Sequence, residues 1–336
     1  MPWFSLRAMP QWYIEGLAYY GHAGYNSARK KWADPDMLKQ RDLHGKHYIV
    51  TGANAGLGFA MAEELAKRNA HVHMLCRDAG RAEDARSKIV ESAKAAGVKE
   101  PLVEVHLADM GSPDSIRAFS DEFAKSNVEL HGLINNAGAL FQQEKRTDDG
   151  SELSMVVAMG GSYLLTGLML PLLSKATPKG RVINVSSGGQ YLVGLDAADL
   201  AGKSRTGANY DGAAAYSYAK RAQVELTKVW ADKTHDSGVI FHSMHPGWAL
   251  TPGVSSSLED FTKRHGSMMR SMAQGADTAV WLAIADEAAE SNGLFWLDRQ
   301  PVRTDLFFAG TSCNDNDRQV LWKACEDMFK NSRSTT

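Results

Sequence analysis

Thr51-Gly52-Ala53-Asn54-Ala55-Gly56-Leu57-Gly58 decides the fold. The stretch follows a short apolar run, Tyr48-Ile49-Val50, and opens a segment that reads as a helix through Lys67. Glycine accepts a left-handed backbone and lets the chain pass close to a bulky anion. A helix that starts there turns free N–H groups and a partial positive charge toward that anion. Strand, glycine turn and helix in this order predict a pyrophosphate cradle built from Gly52, Gly56 and Gly58, with Asn54 and Leu57 between them as further candidate contacts. The spacing is G-x-x-x-G-x-G rather than G-x-G-x-x-G, so the turn by itself leaves a plain tight connection open.

Outward from this turn, apolar runs alternate with amphipathic segments. Strands are predicted at 71–75, 102–107, ending at Asn135, at 182–185, at 239–244 and at 293–297. Helices are predicted at 82–95, 115–125, 152–176 and 213–235. Strict alternation implies one α/β domain of the Rossmann type, doubly wound, with about seven parallel strands and helices on both faces. The domain is expected over residues 44–312, with a substrate loop near 248–272 and a loosely held tail over 313–336.

The 336 residues are 44% apolar, enough for a sizeable core. A net charge of −2, from 37 basic and 39 acidic side chains, gives no global field to attract nucleic acid. Cys76, Cys313 and Cys325 are far apart and read as reduced thiols in a reducing compartment, the cytoplasm. There is neither a C-x-x-C pair nor an H-E-x-x-H helix, so no metal ligand is predicted. The longest apolar run, Leu164 to Leu173, holds Thr166 and Pro171 and is too short to span a bilayer.

Residues 1–43 differ from the rest. They carry Trp3, Phe4, Trp12, Tyr13, Tyr19, Tyr20, Tyr25 and Trp32, with Ile14, Leu17, Ala18, Gly21, Tyr25, Ala28 and Trp32 at helical spacing and Arg29, Lys30 and Lys31 beside them. Two readings stay open: an extra helix packed on the domain or a neighbouring subunit, and a membrane-surface or lipid-entry element over residues 1–32.

Tyr216-Ser217-Tyr218-Ala219-Lys220 sets a phenol and an ammonium at i and i+4, on one helix face. A nearby ammonium and an oxidised nicotinamide favour the phenolate, and bringing a phenol to neutrality takes roughly 4 kcal/mol. At the end of the second strand, Cys76 stands where an acidic residue would accept the 2′-hydroxyl of NAD. Arg77 follows, suited to a 2′-phosphate. NADP(H) is therefore expected over NAD(H), although Arg77 could equally be a solvated partner of Asp78. Asp109 is a candidate for the adenine amino group or a cap for the helix after Gly111.

The chain resembles the short-chain dehydrogenase/reductase superfamily across roughly residues 44–300. The resemblance is carried by the glycine turn, Asp109, Asn135-Asn136-Ala137-Gly138, Asn184-Val185-Ser186-Ser187, Tyr216 to Lys220, and His245-Pro246-Gly247 with Thr251. It implies that Ser187 hydrogen-bonds the substrate oxygen, Tyr216 is the general acid/base, and Lys220 holds the nicotinamide ribose and lowers the tyrosine pKa. It further implies cofactor contacts from Asn136, Ala137, Gly138, Ser186, Pro246, Gly247 and Thr251, and a homodimer or homotetramer through the 152–176 and 213–235 helices.

One departure stands out. Where the family places an asparagine in the long central helix, this chain has Ala158, followed by Gly160-Gly161. In relatives that asparagine is thought to distort the helix and support a water chain to the lysine. Alanine is the strongest helix former, but paired small residues permit a kink. Two functions are therefore expected. The first is an NADP(H)-dependent carbonyl reductase or alcohol dehydrogenase for a small apolar substrate (lipid, steroid, retinoid or aromatic), walled by Trp248 to Met272 and the insertion between Tyr191 and Tyr210. The second is a cofactor-binding scaffold or redox sensor with little turnover.

Overall fold

The computed structural model describes residues 4–330; Trp3 and the last six residues of the tail lie outside the described residues. Eight strands form one sheet: β1 (His47–Thr51), β2 (His71–Cys76), β3 (Val103–Leu107), β4 (Leu130–Asn135), β5 (Arg181–Val185), β6 (Ile240–Met244), β7 (Leu294–Leu297) and β8 (Gln300–Val302). Their order is β3-β2-β1-β4-β5-β6-β7-β8, and β1 to β7 pair in parallel. One face is packed by the Gly56–Ala66, Ala79–Ala95 and Met272–Ile284 helices. The other is packed by the Pro113–Lys125, Leu153–Leu173 and Gly212–Lys233 helices. The strand order reverses direction between β1 and β4, and in open sheets of this kind the ligand crevice lies there, at the carboxyl ends of the strands.

β8 escapes the sequence because its turn is unusual. β7 and β8 are antiparallel across Asp298 and Arg299, which have φ of 52° and 59°. Such a two-residue hairpin normally advertises itself with glycine or asparagine. Here buried ion pairs hold it instead, Arg270 to Asp298 at 2.6 Å and Arg299 to Asp277 at 2.7 Å.

The tail is not loosely held. Asp315–Lys330 is a helix whose Leu321, Cys325 and Phe329 are buried at i, i+4 and i+8. Asn314 and Asp317 cap it reciprocally, each side chain accepting the other's backbone N–H. The helix lies on the central pair of helices: Tyr163 stacks on Phe329, and Trp322 meets Trp230 edge-on.

The Leu153–Leu173 helix is long and apolar enough to cross a membrane, but most of it is buried against the sheet and the neighbouring helices. Within it Gly160–Leu165 is π-helical. A Cβ on Gly160 would lie 2.3 Å from the Met110 carbonyl oxygen, so the close approach requires glycine there.

The N-terminal segment is a strap and not one helix. Ala8–Glu15 is helical, Gly16–Tyr20 is a π turn, Gly21 is extended, and His22–Arg29 is helical again. The run breaks at the extended Gly21, and a Cβ there would meet the Met268 carbonyl oxygen at 2.6 Å, so the close approach requires glycine. The residues at helical spacing therefore divide: Tyr25 and Trp32 are buried, whereas Ile14, Leu17 and Ala18 are exposed.

Candidate active site

The glycine turn sits at the β1–β4 crevice. Gly52 and Gly56 have φ of 66° and 58°, the left-handed region that glycine allows. A Cβ on Gly58 would meet the Gly52 carbonyl at 2.3 Å and the Asn136 amide nitrogen at 2.5 Å. Thr51 locks the turn to β4: its hydroxyl accepts from the Asn136 and Ala137 backbone N–H groups at 3.0 and 2.8 Å, and Asn136 Nδ2 donates to the Thr51 carbonyl at 2.9 Å. The Gly56–Ala66 helix begins at Ala55, which offers no side-chain cap. Its first N–H groups are thus available to an anion, as a pyrophosphate cradle requires.

Arg77 is largely exposed at the end of β2, with Nη1 4.0 Å from Asp109 Oδ2. Asp78 does not hold it; Asp78 caps the next helix through the Arg81 N–H at 2.9 Å. Nor does Asp109 cap the helix after Gly111. It accepts the Gly111 N–H at 2.8 Å, and Ser112 is the cap.

Tyr216 and Lys220 lie on the Gly212–Lys233 helix, which Asp211 caps. Lys220 Nζ is 5.3 Å from the centre of the Tyr216 ring. It is buried and donates to the Val185 carbonyl and to Gln223 Oε1, both at 2.8 Å. A Cβ on Gly138 would be 3.1 Å from Nζ, so that glycine keeps a side chain from crowding the ammonium. Gln223 in turn donates through Nε2 to Ser162 Oγ at 2.7 Å, inside the π-helical stretch. Gln223 and Ser162 were not singled out from the sequence. The available signal was Gln223 at i+3 from Lys220.

The electrostatics differ from the expectation of a phenol lowered by its lysine. Burial pushes Tyr216 up to about 12 and Lys220 down to about 7. Desolvation by burial disfavours both charged forms.

The two serines divide their work. Ser186 is buried and donates to the Lys220 carbonyl at 2.9 Å, so its hydroxyl faces the protein and not the crevice. Ser187 is half-buried, starts the short Gly188–Leu192 turn, and accepts the Gly189 N–H at 3.2 Å. Beneath them Asn135 Nδ2 donates to Thr166 Oγ1 and Asn184 Oδ1, both at 3.0 Å, tying β4 to β5 and to the central helix.

The remaining predicted contacts are placed as follows. Thr251 caps the Pro252–Ser257 helix and lies against Gly56, where a Cβ would be 3.4 Å away. Pro246 accepts from Arg270 Nη1 through its carbonyl at 3.5 Å. Gly247, with φ of 75°, packs on Arg270, whose Nε would be 2.3 Å from a Cβ; its conformation serves that packing.

The strap roofs this end of the crevice. Trp12 Nε1 donates to the Gly188 carbonyl at 2.9 Å, next to Ser187, and its ring is 5.8 Å from Trp248. Tyr20 meets Trp248 and His245 edge-on. Arg270 donates to the Tyr19 and Gly21 carbonyls and so fastens the strap to the substrate loop. In that loop Val254 and Phe261 pack around Trp248 with Met269, while Leu250 and Met272 are exposed.

Residues 46–196 match the family pattern of short chain dehydrogenase. The chain is 40% identical over 325 residues to Dehydrogenase/reductase SDR family member 12 of Homo sapiens, covering 96% of this chain and 98% of the relative. It belongs to the short-chain dehydrogenase/reductase family. Retinol dehydrogenase 12 of Mus musculus is 32% identical, with 89% of this chain and 92% of the relative covered. Among solved structures, an uncharacterized protein from Mycobacterium paratuberculosis superposes with a TM-score of 0.65 at 26% identity, covering 86% of this chain and 95% of that one. The short-chain dehydrogenase/reductase chain is an oxidoreductase of alcohol and carbonyl groups that uses a nicotinamide dinucleotide.

Proposed function

We propose that this short-chain dehydrogenase/reductase uses NADP(H) to interconvert an apolar alcohol and its carbonyl compound. The observation that carries the reading is Lys220. An ammonium has three N–H donors. Two are taken by Val185 and Gln223, and Gly138 sets no side chain against Nζ, which leaves one donor to offer.

The crevice fits a dinucleotide. Gly52, Asn54, Gly56, Leu57 and Gly58 would hold its pyrophosphate, Arg77 a 2′-phosphate, Asp109 the adenine, and Lys220 the nicotinamide ribose. Asn136, Ala137, Gly138 and Thr251 would border it. When bound, the cofactor supplies or accepts the hydride. Ser187 Oγ orients the substrate oxygen by a hydrogen bond. Tyr216, protonated throughout neutral pH because burial pushes it to about 12, donates its phenolic proton to that oxygen during reduction. In the reverse direction a phenolate is needed, and the positive charge beside it must then outweigh desolvation.

An apolar substrate is supported by the aromatic roof of Trp12, Tyr20 and Trp248. The name of the retinol dehydrogenase relative agrees with a long apolar alcohol. The strap's outer face also bears on delivery. Leu6, Met9, Ile14 and Leu17 are exposed on it, and Phe307 and Phe308 are exposed on the 303–309 segment that Ser5 and Glu15 hold alongside. We propose that this face rests on a lipid surface, from which an apolar substrate reaches the crevice.

The reading without turnover rested on Ala158. The π-helical stretch just after it and the Lys220–Gln223–Ser162 hydrogen bonds weigh against that reading, because they anchor the lysine without an asparagine.

The test is NADPH oxidation against a panel of apolar aldehydes and ketones, run beside Tyr216→Phe. Turnover falling about 10²- to 10⁴-fold in the variant, with NADPH affinity retained, is expected. Equal rates in the two proteins would sink the assignment. Co-flotation with lipid vesicles that is lost in Ile14→Ser/Leu17→Ser tests the surface contact.

A further inference from the structure

Four histidines and one glutamate gather on one sheet face, away from the crevice. The segments His71-Val72-His73 and Glu104-Val105-His106 each alternate, so both outer residues of each point the same way. Register brings His47 beside His71 and His73 beside Glu104. The Pro113–Lys125 helix covers this face, with Phe123 and Phe119 edge-on to His73 and His106. A cavity of about 250 Å³ opens onto the cluster between these elements.

Three atoms in the cluster have the spacing of a ligand set. His73 Nδ1 is 3.0 Å from His106 Nε2, and Glu104 Oε2 is 3.6 Å from each of them. A triangle with these sides has a circumradius of about 2.0 Å, the length of a zinc bond to imidazole nitrogen or carboxylate oxygen. We propose that His73, Glu104 and His106 bind one divalent transition-metal ion of the zinc class, with a fourth position left for water or His71.

The surroundings fit that assignment. His73 Nε2 is 3.0 Å from His47 Nδ1, so His73 can donate there and present Nδ1 to the ion, as metal-bound imidazoles commonly do. His71 Nε2 is 2.8 Å from the other glutamate oxygen, Oε1, and orients the carboxylate. Two imidazoles with one carboxylate select zinc and its transition-metal neighbours over magnesium or calcium, which prefer oxygen shells. β3 is the edge of the sheet, and the ion would clip it to β2. The same two strands end just before Arg77 and Asp109, so the clip would also steady the adenosine end of the crevice.

The experiment uses the full chain, stripped with a chelator and titrated with Zn²⁺ by calorimetry, and with Co²⁺ followed by visible absorption. One saturable equivalent, an intense tetrahedral Co²⁺ spectrum and a higher melting temperature with metal are expected. Loss of the hydrogen bond that His73 donates to His47, in His47→Phe, should weaken binding about 10- to 100-fold, and loss of a ligand, in Glu104→Gln or His106→Gln, by at least as much. The exposed His235→Gln should bind as the parent does, and Mg²⁺ and Ca²⁺ should not compete. Absence of saturable binding at micromolar Zn²⁺ in the parent chain would overturn the proposal. So would undiminished binding in both Glu104→Gln and His106→Gln; as Glu104 is exposed and His106 half-buried, folding of these variants is checked by circular dichroism, and the parent titration decides independently.

Discussion

Replacing Gln223 with leucine should move the alkaline limit of turnover and leave the chemistry otherwise intact. Gln223 Oε1 is one of two acceptors for the buried Lys220 ammonium. A hydrogen bond to a charged group is worth about 1.5–3 kcal/mol, which corresponds to about 1–2 pH units in the lysine titration. The sign follows from which form is bonded. The amide oxygen stabilises the ammonium, so removing it lowers a pKa that burial already holds at about 7. The reducing reaction needs the ammonium, and activity is lost as pH rises through the lysine pKa. In Gln223→Leu the alkaline limb of kcat should therefore fall about 1–2 pH units lower, and KM for NADPH should rise. Tyr216, pushed to about 12, titrates too high to produce that limb. Ser162→Ala is the companion variant: it loosens Gln223 but leaves the lysine contact, so its limb should move much less. A Gln223→Leu limb that coincides with that of the parent would refute the reasoning. A limb shifted equally in Ser162→Ala would assign the effect to general loosening of the helix pair.

Ala158→Asn, which restores the family's residue, should not raise kcat; it buries an amide in a packed core and should cost about 1–3 kcal/mol, read from thermal or urea unfolding. Arg77→Gln should cut the kcat/KM preference for NADPH over NADH by roughly 10- to 100-fold, since a charge-assisted contact of about 1.5–3 kcal/mol is removed from only one of the two cofactors. Equal loss with both would show Arg77 to be a structural residue. The intact chain should elute as a monomer, because the Asp315–Lys330 helix covers part of the two helices through which the family resemblance implied pairing. Truncation after residue 312 should expose Tyr163 and Trp230 and yield dimers or larger species in light scattering.

The sequence made the crevice legible because its constraints are local. Gly52, Gly56 and Gly58 are needed where a backbone approaches closely, and Tyr216 and Lys220 follow from one helical turn. The seven parallel strands were readable for a similar reason, since buried parallel strands carry continuous apolar runs. What stayed hidden depends on distant partners. The Asp298–Arg299 turn has no glycine and is held by Arg270 and Asp277. Tyr25 and Ile14 lie on one apparent helical stripe, yet Gly21 breaks the helix against Met268, and only one of the two is buried. The tail helix was within reach, since Leu321, Cys325 and Phe329 have helical spacing, but the polar residues around them masked it. The histidine cluster is a register effect: no single strand contains a ligand set, and the sheet assembles one.

The central helix shows how a missing motif residue can mislead. Ala158 removes a side chain that relatives are thought to use for distorting the helix, and alanine alone would favour a straight one. The distortion is nevertheless present over Gly160–Leu165, where Gly160 lets the helix press against the Met110 carbonyl. The same stretch presents Ser162 to Gln223, and Gln223 presents an oxygen to Lys220. A requirement that one asparagine could meet is thus distributed over two glycines, a serine and a glutamine on two helices. A lysine with two fixed acceptors is held in place but still has one donor to offer. That is a reason to expect turnover from this chain, and it makes Gln223 the residue whose removal should shift the titration of Lys220.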